Sequence, residues 1–138
     1  MVKTKRLKLS TKGHDDILDI TREVQAAVGE AKIENGAAIV FIQGSTASVT
    51  TIEYEPALMK DIKGLTEKLI PSNVNYAHDD TWGDANGYAH LRAALIGPSL
   101  TVPVVAGQLT LGTWQQIIII DHDNRSRERE IVIQVIGE

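Results

Sequence analysis

The order of apolar and polar residues predicts a strand, a helix and a second strand in the first third of the chain. Residues 2–10 alternate in polarity as a half-buried strand does. From residue 15 or 16 onward, apolar residues recur at helical spacing, with acidic residues in the first turn and a helix-ending signal at residues 34–36. An apolar strand over residues 37–42 follows, so we expect this amphipathic helix to lie on a sheet.

The middle of the chain predicts one more strand and two more helices. Residues 47–54 are rich in β-branched side chains and should pair with the strand before them. Pro56 fits the first turn of a helix whose 3.6-residue period lasts until Pro71 ends it. Residues 72–83 are polar without a period and predict a loop, whereas residues 86–96 predict a shorter helix that finishes at a Gly-Pro pair.

The last third of the chain predicts strands separated by glycine and Asp-Asn turns, over residues 100–105, 108–111, 114–121 and 129–136. Residues 117–120 are four consecutive isoleucines and are therefore apolar on both faces. Burial against a neighbouring subunit is the preferred explanation of such a strand, and a central position in a helix-covered sheet is the alternative. Together the elements predict one α+β domain over residues 1–138, with three helices.

The composition argues against nucleic acid and membranes as partners and limits the residues that could bind a metal. The formal charge of −4 opposes sequence-independent binding to nucleic acid, and the basic run at residues 125–129 is interpreted as a solvated turn. No cysteine is present, so any metal must use histidine and carboxylate ligands. No apolar run is long enough to span a bilayer, which predicts a cytoplasmic protein without a membrane partner.

Candidate chemistry is concentrated in one segment of thirteen residues, which contains two histidines and three aspartates: His78, Asp79, Asp80, Asp84 and His90. Imidazole and carboxylate bind divalent cations, and a neutral imidazole also acts as an acid or base near pH 7. The spacing matches no strict short motif, so turn, cap and surface roles are the alternative interpretation. His14 and His122 lie in predicted turns and are expected at the surface.

Two further features are candidates for a binding site. Gly44, Ser45 and Thr46 form a turn between two strands, where backbone N–H groups and two hydroxyls can face a phosphate. Because the lysine and helix of a P-loop are missing, the residues alone favour a plain hairpin turn. Trp114 is one of only six aromatic residues, and a tryptophan at a strand start is expected to be buried, packing under a site or an interface.

Several longer motifs resemble those of a known family. They are the Tyr-x-His motif at residues 76–78, Asn-Gly-Tyr-Ala-His-Leu-x-Ala at 86–93, Gly-Pro-Ser-Leu-x-Val-Pro at 97–103 and Leu-x-Leu-Gly-Thr-Trp-Gln at 109–115. On these motifs the chain resembles the YjbQ-like family, described as secondary thiamine-phosphate synthase enzymes. The resemblance extends over nearly the whole chain.

The resemblance implies a single α+β domain of mostly antiparallel sheets that assembles as a trimer, with the site close to a subunit boundary. It also implies a weak transferase activity that joins a hydroxymethylpyrimidine pyrophosphate to a thiazole phosphate, assisted by a divalent metal ion such as Mg²⁺ or Zn²⁺. The residues implied as catalytic and metal-binding are His78, His90 and Asp84. Those implied as contacts to the phosphorylated substrate are Ser45, Thr46, Asn86, Gly87 and Trp114.

The chain departs from the family pattern at two positions. The pattern has histidine immediately before the two hydroxyl residues and again two positions before His90, where this chain has Gly44 and Tyr88. Two possible ligands or proton carriers are thereby lost. A metal-assisted transferase, a non-catalytic trimeric module that binds a phosphorylated small molecule or metal, and a purely structural trimer all remain open at this point.

Overall fold

A computed structural model describes all residues of the chain, 1–138, as eight strands and four helices. The strands are β1 (Val2–Thr11), β2 (Asp16–Asp19), β3 (Gly36–Ile42), β4 (Ala47–Ile52), β5 (Ser99–Val105), β6 (Gln108–Leu109), β7 (Gln116–Asp121) and β8 (Arg127–Gly137). The helices are α1 (Thr21–Ala31), α2 (Pro56–Leu69), α3 (Ala77–Trp82) and α4 (Gly87–Ile96). The predicted α+β class is confirmed, with four helices where three were expected.

All strand pairs are antiparallel, and they form two sheets. The larger sheet has the order β1-β8-β3-β5-β6, and the smaller has the order β2-β7-β4. The predicted pairing of β3 with β4 is therefore wrong. The chain passes from one sheet to the other at residues 43–46. The turn predicted as a hairpin is therefore a connection between the two sheets.

The four isoleucines of β7 are covered within a single chain. Ile117 and Ile119 face the main core between the two sheets and α1, whereas Ile118 and Ile120 face a second cluster formed with α2 and α4. Each isoleucine is at most 1% exposed. The central-strand interpretation is confirmed, and burial of this strand requires no second subunit.

Two local predictions are wrong for reasons of length and capping. Residues 16–19 form β2, paired with residues 118–121 of β7, so α1 begins only at Thr21. Residues 77–82, expected in a loop, form α3, because Asp79 accepts a hydrogen bond from the backbone N–H of Tyr76 and so caps the helix start. Helix α2 begins at Pro56 as predicted, where Glu55 accepts hydrogen bonds from two backbone N–H groups of the first turn.

The outer face of the larger sheet has five apolar side chains grouped around the polar Gln134, which pairs with Ile39. Strand alternation places Ala37, Ile39 and Phe41 of β3 on this face, beside Val132 and Ile136 of β8. Phe41 is 40% exposed and Ile136 is 38% exposed, whereas the alternate residues of the same strands are buried in the main core.

None of the helices combines the length and the apolar character that crossing a lipid bilayer requires.

Candidate functional site

The two candidate histidines lie against each other at the junction of α3 and α4. Their ring centroids are 4.4 Å apart, with the ring planes tilted by 58°. Gly87 makes this close packing possible, because a Cβ atom there would lie 2.9 Å from the Cβ of Tyr76 and 3.4 Å from that of His78. Asp79 joins the two helices by accepting hydrogen bonds from the N–H groups of Tyr76 and Gly87. Gly87 and Asp79 thus fix the separation of the imidazoles.

The turn at residues 44–46 and His90 line the same cavity. This cavity has a volume of about 250 Å³, and its walls are small side chains and backbone from Gly44, Ser45, Ala47, His90, Ala93, Ala94 and Pro98. The turn leads into β4, and α4 packs on β4, so the two segments meet although they are more than thirty residues apart in sequence. Ser45 is exposed and has no side-chain hydrogen bond to the protein.

The second hydroxyl of the turn is already bonded within the protein. Thr46 is 5% exposed, and its Oγ1 donates to Asp123 at 2.9 Å and accepts from Arg129 Nη2 at 2.6 Å. Arg129 itself is 7% exposed, so the expectation that residues 125–129 form only a solvated turn is wrong at this position. The Thr46 hydroxyl therefore supports the turn and has its hydrogen-bonding capacity largely occupied.

Arg129 also explains why a glycine precedes the two hydroxyl residues. Gly44 has a φ of +111°, and a Cβ atom there would lie 2.6 Å from Arg129 Nη1. A side chain such as the histidine of the family pattern would have to displace the guanidinium. The other missing histidine is replaced by Tyr88, which is buried with its ring 4.9 Å from the Arg92 guanidinium carbon. Burial raises the pKa of the Tyr88 hydroxyl, which stays protonated.

Electrostatics keep the His90 imidazole neutral near pH 7. Burial lowers the pKa of His90 below its ordinary value, and the neighbouring His78 lowers it further, while the charges of Asp123 and Asp84 act in the opposite direction. A neutral imidazole has a free lone pair for a cation or a proton. The ring is therefore in the form that ligation of a metal ion requires.

The remaining predicted residues of the segment occupy different environments. Asn86 is 3% exposed at the start of α4, and its side-chain amide donates to Asp123 Oδ1 at 3.3 Å. Its carbonyl oxygen Oδ1 is buried without any hydrogen-bond donor. Asp84 is exposed, and its backbone carbonyl accepts from Asn124. No set of three or more histidine, aspartate or glutamate side chains comes together as a complete metal cage.

Trp114 lies far from the histidines. It is 73% exposed, so the prediction of a buried tryptophan is wrong. It precedes β7, whereas residues 121–123 at the other end of β7 adjoin the site; at about 3.3 Å per residue the two ends are some 20 Å apart. Gln115, the last residue of the Leu-x-Leu-Gly-Thr-Trp-Gln motif, has a structural role. Its side chain accepts a hydrogen bond from the Gly112 N–H and donates one to the Thr51 hydroxyl.

Sequence reasoning missed the most heavily bonded segment of the site region, residues 121–123. Asp121, His122 and Asp123 each have no exposed surface, which contradicts the expectation that His122 lies at the surface. Asp121 accepts two hydrogen bonds from Arg129. Asp123 accepts one from Thr46 of the turn and one from Asn86 at the start of α4. His122 lies between the two aspartates in the sequence. The only sequence signal for their burial is that they directly follow the four isoleucines of residues 117–120.

His122 is the middle of a buried row of hydrogen bonds. Its Nδ1 lies 2.5 Å from Asp15 Oδ1 and its Nε2 lies 2.8 Å from Ser48 Oγ. Carboxylate, imidazole and hydroxyl occur in this order in catalytic triads. Ser48, however, has no exposed surface, so a substrate cannot reach its hydroxyl. Asp15 also pairs with Arg92 of α4 at 3.0 Å, which makes the row a structural connection between β7, β4 and α4.

Comparison with known proteins supports both the sequence motifs and the fold. The family described as "UPF0047 protein YjbQ-like" matches residues 5–138. A UPF0047 protein of Methanothermobacter thermautotrophicus is 37% identical over 137 residues, which cover 99% of this chain and 94% of the relative. The UPF0047 protein YugU of Bacillus subtilis is 34% identical over 135 residues, covering 96% of this chain and 98% of the relative.

The backbone agrees with that of a solved structure over its whole length. The crystal structure of a YbjQ-like protein of unknown function from Sulfolobus solfataricus superposes with a TM-score of 0.94 at 31% identity. It covers 100% of this chain, which in turn spans 99% of that protein. On sequence and backbone together, this chain belongs to the UPF0047 YjbQ-like family.

Proposed function

We propose that this chain binds a phosphorylated small molecule, together with a divalent cation, at the cavity between residues 44–46 and the His78–His90 pair. We propose further that it catalyses the weak thiamine-phosphate synthase reaction that the family resemblance implies. The observation that carries the proposal is the shared cavity, because Ser45 of the turn and His90 both line it, and the ring of His78 packs against that of His90.

The residues present fit a divalent cation of the Mg²⁺ or Zn²⁺ type. His78 and His90 offer the imidazole nitrogens of two packed rings. Asp84 adds negative charge close enough to act on His90. Two imidazoles leave coordination positions for water or phosphate oxygens, as is usual where a cation is bound along with its phosphorylated substrate. When bound, the cation would stabilise the negative charge of the departing pyrophosphate.

The proposed reaction places few demands on acid–base groups. The bond between the pyrimidine methylene carbon and the pyrophosphate oxygen breaks, and a bond from that carbon to the thiazole nitrogen forms. The nitrogen uses its lone pair and carries no proton, so no general base is required. In this proposal Ser45 and the backbone N–H groups of the turn bind phosphate oxygens, while Arg129 supports the turn by donating a hydrogen bond to Thr46.

The non-catalytic module is the second candidate, and one observation favours it. Gly44 and Tyr88 remove two imidazoles from the family pattern, and the Thr46 hydroxyl is bonded to Asp123 and Arg129. The site therefore has fewer free groups for stabilising a transition state than for binding a ligand. Incubation with the pyrimidine pyrophosphate and the thiazole phosphate separates the candidates, since only the transferase forms thiamine phosphate and inorganic pyrophosphate.

We expect His78→Ala and His90→Ala each to weaken Zn²⁺ binding by at least about 10- to 100-fold, because each removes a direct ligand, and loss of an outer-shell partner alone has an effect of that size. The free energy of unfolding should change by less than about 1 kcal/mol, since both rings are only half-buried. Isothermal titration calorimetry and urea unfolding measure the two effects separately. His14→Ala removes an exposed histidine outside the site and serves as the matched control. Parent-like zinc binding by both site variants would contradict the proposal.

We also propose that the chain assembles as a trimer, with the site near a subunit boundary. The support is the apolar outer face of the larger sheet, residues Ala37, Ile39, Phe41, Val132 and Ile136, rather than β7. Apolar side chains grouped on one face of a sheet are often part of an interface, and here they surround a single glutamine, Gln134. The cavity of about 250 Å³ is also smaller than the roughly 300–1,000 Å³ that enclose drug-sized ligands, so one chain surrounds only part of such a ligand.

Phe41→Glu is expected to convert the trimer to a monomer, because it places a charge at the centre of the proposed interface. Sedimentation at micromolar concentration measures the change in mass. Leu95→Glu is the matched control, since Leu95 is 66% exposed on α4, away from the sheet, and its variant should stay trimeric. A monomeric parent, or dissociation of the Leu95 variant alone, would rule out assembly through this face.

A further inference from the structure

The guanidinium of Arg129 has one nitrogen without a partner in the protein. Its Nε and Nη2 form a bidentate pair with the Asp121 carboxylate, and Nη2 also donates to the Thr46 hydroxyl. These contacts use every N–H group of those two nitrogens. The N–H groups of Nη1 make no hydrogen bond within the chain, although the Arg129 side chain is only 7% exposed. Two donors of a charged group are thus available to a ligand.

The free nitrogen faces open space beside Gly44. A Cβ atom on Gly44 would lie 2.6 Å from Nη1 and 3.8 Å from Cζ of Arg129, and no other residue except the chain neighbours comes within 4 Å of that position. Only Asn86 Oδ1 is a fully enclosed side-chain polar atom without a partner, so Nη1 retains surface open to solvent. Gly44 lines the cavity together with Ser45 and His90. The absent side chain of Gly44 therefore leaves Nη1 uncovered at the edge of this cavity.

The charges around Nη1 permit an anion to bind there. Arg129 pairs with Asp121, and Arg127 Nε donates to Asp123 Oδ2, which lies 3.8 Å from Arg129 Nη2. Two carboxylates and two guanidinium groups give this cluster no net charge, and both carboxylates already accept hydrogen bonds from the protein. An oxyanion at Nη1 would form charge-assisted hydrogen bonds, whereas the same N–H groups would repel a cation.

We propose that Arg129 Nη1 binds a phosphate oxygen of the ligand in this cavity, next to the exposed Ser45 hydroxyl. This inference rests on the proposed function, which supplies the phosphorylated ligand, and it adds a positively charged donor that the turn itself lacks. Gly44 is required at its position because a side chain there would cover the guanidinium. Arg129 thus has two roles, since Nε and Nη2 hold Asp121 and the turn while Nη1 contacts the ligand.

The first test covers the guanidinium without removing it. Gly44→Ala places a methyl group against Nη1, so inorganic pyrophosphate in metal-free buffer should bind about 10- to 100-fold more weakly, as expected for lost hydrogen bonds to a charged group. Gly107→Ala is the matched control for backbone strain, because Gly107 also has a left-handed φ, +74°, but lies between β5 and β6. Its affinity should equal that of the parent. Calorimetry gives the affinities, and urea unfolding shows that each variant is folded.

The second test removes the guanidinium in a background that tolerates its loss. Arg129→Met alone leaves the Asp121 carboxylate unpaired, so it is combined with Asp121→Asn and compared with Asp121→Asn alone. The single variant keeps the guanidinium and leaves its positive charge uncompensated, so it should bind pyrophosphate at least as tightly as the parent. The double variant should bind about 10- to 100-fold more weakly. Adding Gly44→Ala to the double variant should cause no further loss, because the group that it covers is already absent.

Weaker binding in Gly44→Ala and in the double variant, without further loss when the three substitutions are combined, supports the inference. Parent-like affinity in either, equal weakening in Gly107→Ala, or an additional loss in the triple variant overturns it. Asp121→Asn binding as weakly as the double variant also overturns it, because the loss would then follow the ion pair rather than Nη1. A parent that does not bind pyrophosphate overturns it as well. A parent that binds pyrophosphate through Nη1 but neither binds thiazole phosphate nor forms thiamine phosphate refutes the proposed function and leaves the anion site standing.

Discussion

Arg129→Met is expected to lower the free energy of unfolding by about 3–5 kcal/mol, the range found when one partner of a buried ion pair is removed. Arg129 Nε and Nη2 lie 2.7 and 2.8 Å from the two carboxylate oxygens of Asp121, which has no exposed surface. The substitution leaves this carboxylate with the Thr11 hydroxyl and the Asp123 backbone N–H as donors. Urea unfolding followed by circular dichroism measures the loss.

Two further variants separate the ion pair from the packing of the arginine side chain. Arg129→Met combined with Asp121→Asn removes the uncompensated charge and should recover part of the loss. Arg22→Met removes an exposed arginine and should change the free energy of unfolding by less than about 0.5 kcal/mol. A loss below about 1 kcal/mol in Arg129→Met would mean that the buried pair does not stabilise the fold.

The second large effect is a steep loss of stability in acid. In Asp15, Asp121 and Asp123, burial alone would raise the carboxyl pKa, but hydrogen bonds and nearby positive charges outweigh it and lower the pKa below its ordinary value. A group whose pKa is lower in the folded chain stabilises the fold above its unfolded pKa, about 3.9 for aspartate. That contribution is lost as the pH falls through the folded pKa.

The stabilisation that these three carboxylates provide should therefore change little between pH 7 and about pH 5. It should fall steeply below about pH 4. Urea midpoints measured across this range give the profile. Asp121→Asn should be less stable at pH 7 and lose less on acidification, because it has one carboxylate fewer to protonate. Asp61→Asn, at an exposed position, should follow the parent profile. A parent chain that keeps its full stability at pH 3 would show that these carboxylates do not stabilise it.

Regular elements with strong local signals were predictable from the sequence. Helix α2 has a proline at its first position and Pro71 after its last, and both constraints act within a few residues. Strand β2 was misread as part of α1, because four residues are too few to distinguish a period of 2 from one of 3.6. Its identity depends on pairing with β7, which lies about a hundred residues away.

Buried polar residues were the main failure of sequence reasoning. His122 is hydrogen-bonded to Asp15, 107 residues earlier, and Arg129 to Thr46, 83 residues earlier. Polar residues in a turn-like segment are usually exposed, and only the tertiary structure brings the partners that make their burial favourable. The turn at residues 44–46 and the two histidines were identified from their residue types, but their hydrogen-bond states were not. Trp114 was misplaced because an aromatic side chain alone does not distinguish core from surface.

The position of β8 in the larger sheet has a consequence for how the chain folds during synthesis. Residues 127–137 lie between β1 and β3, both of which are translated much earlier. When the first three-quarters of the chain have been synthesised, β1 has no partner in this sheet and β3 can pair only with β5. The sheet closes only when β8 inserts between them, so the pairings of β8 with β1 and β3 form late and over long sequence separations. Chains of this kind fold on the slower millisecond-to-second scale, and their unpaired strand edges are open to association with other chains in the meantime.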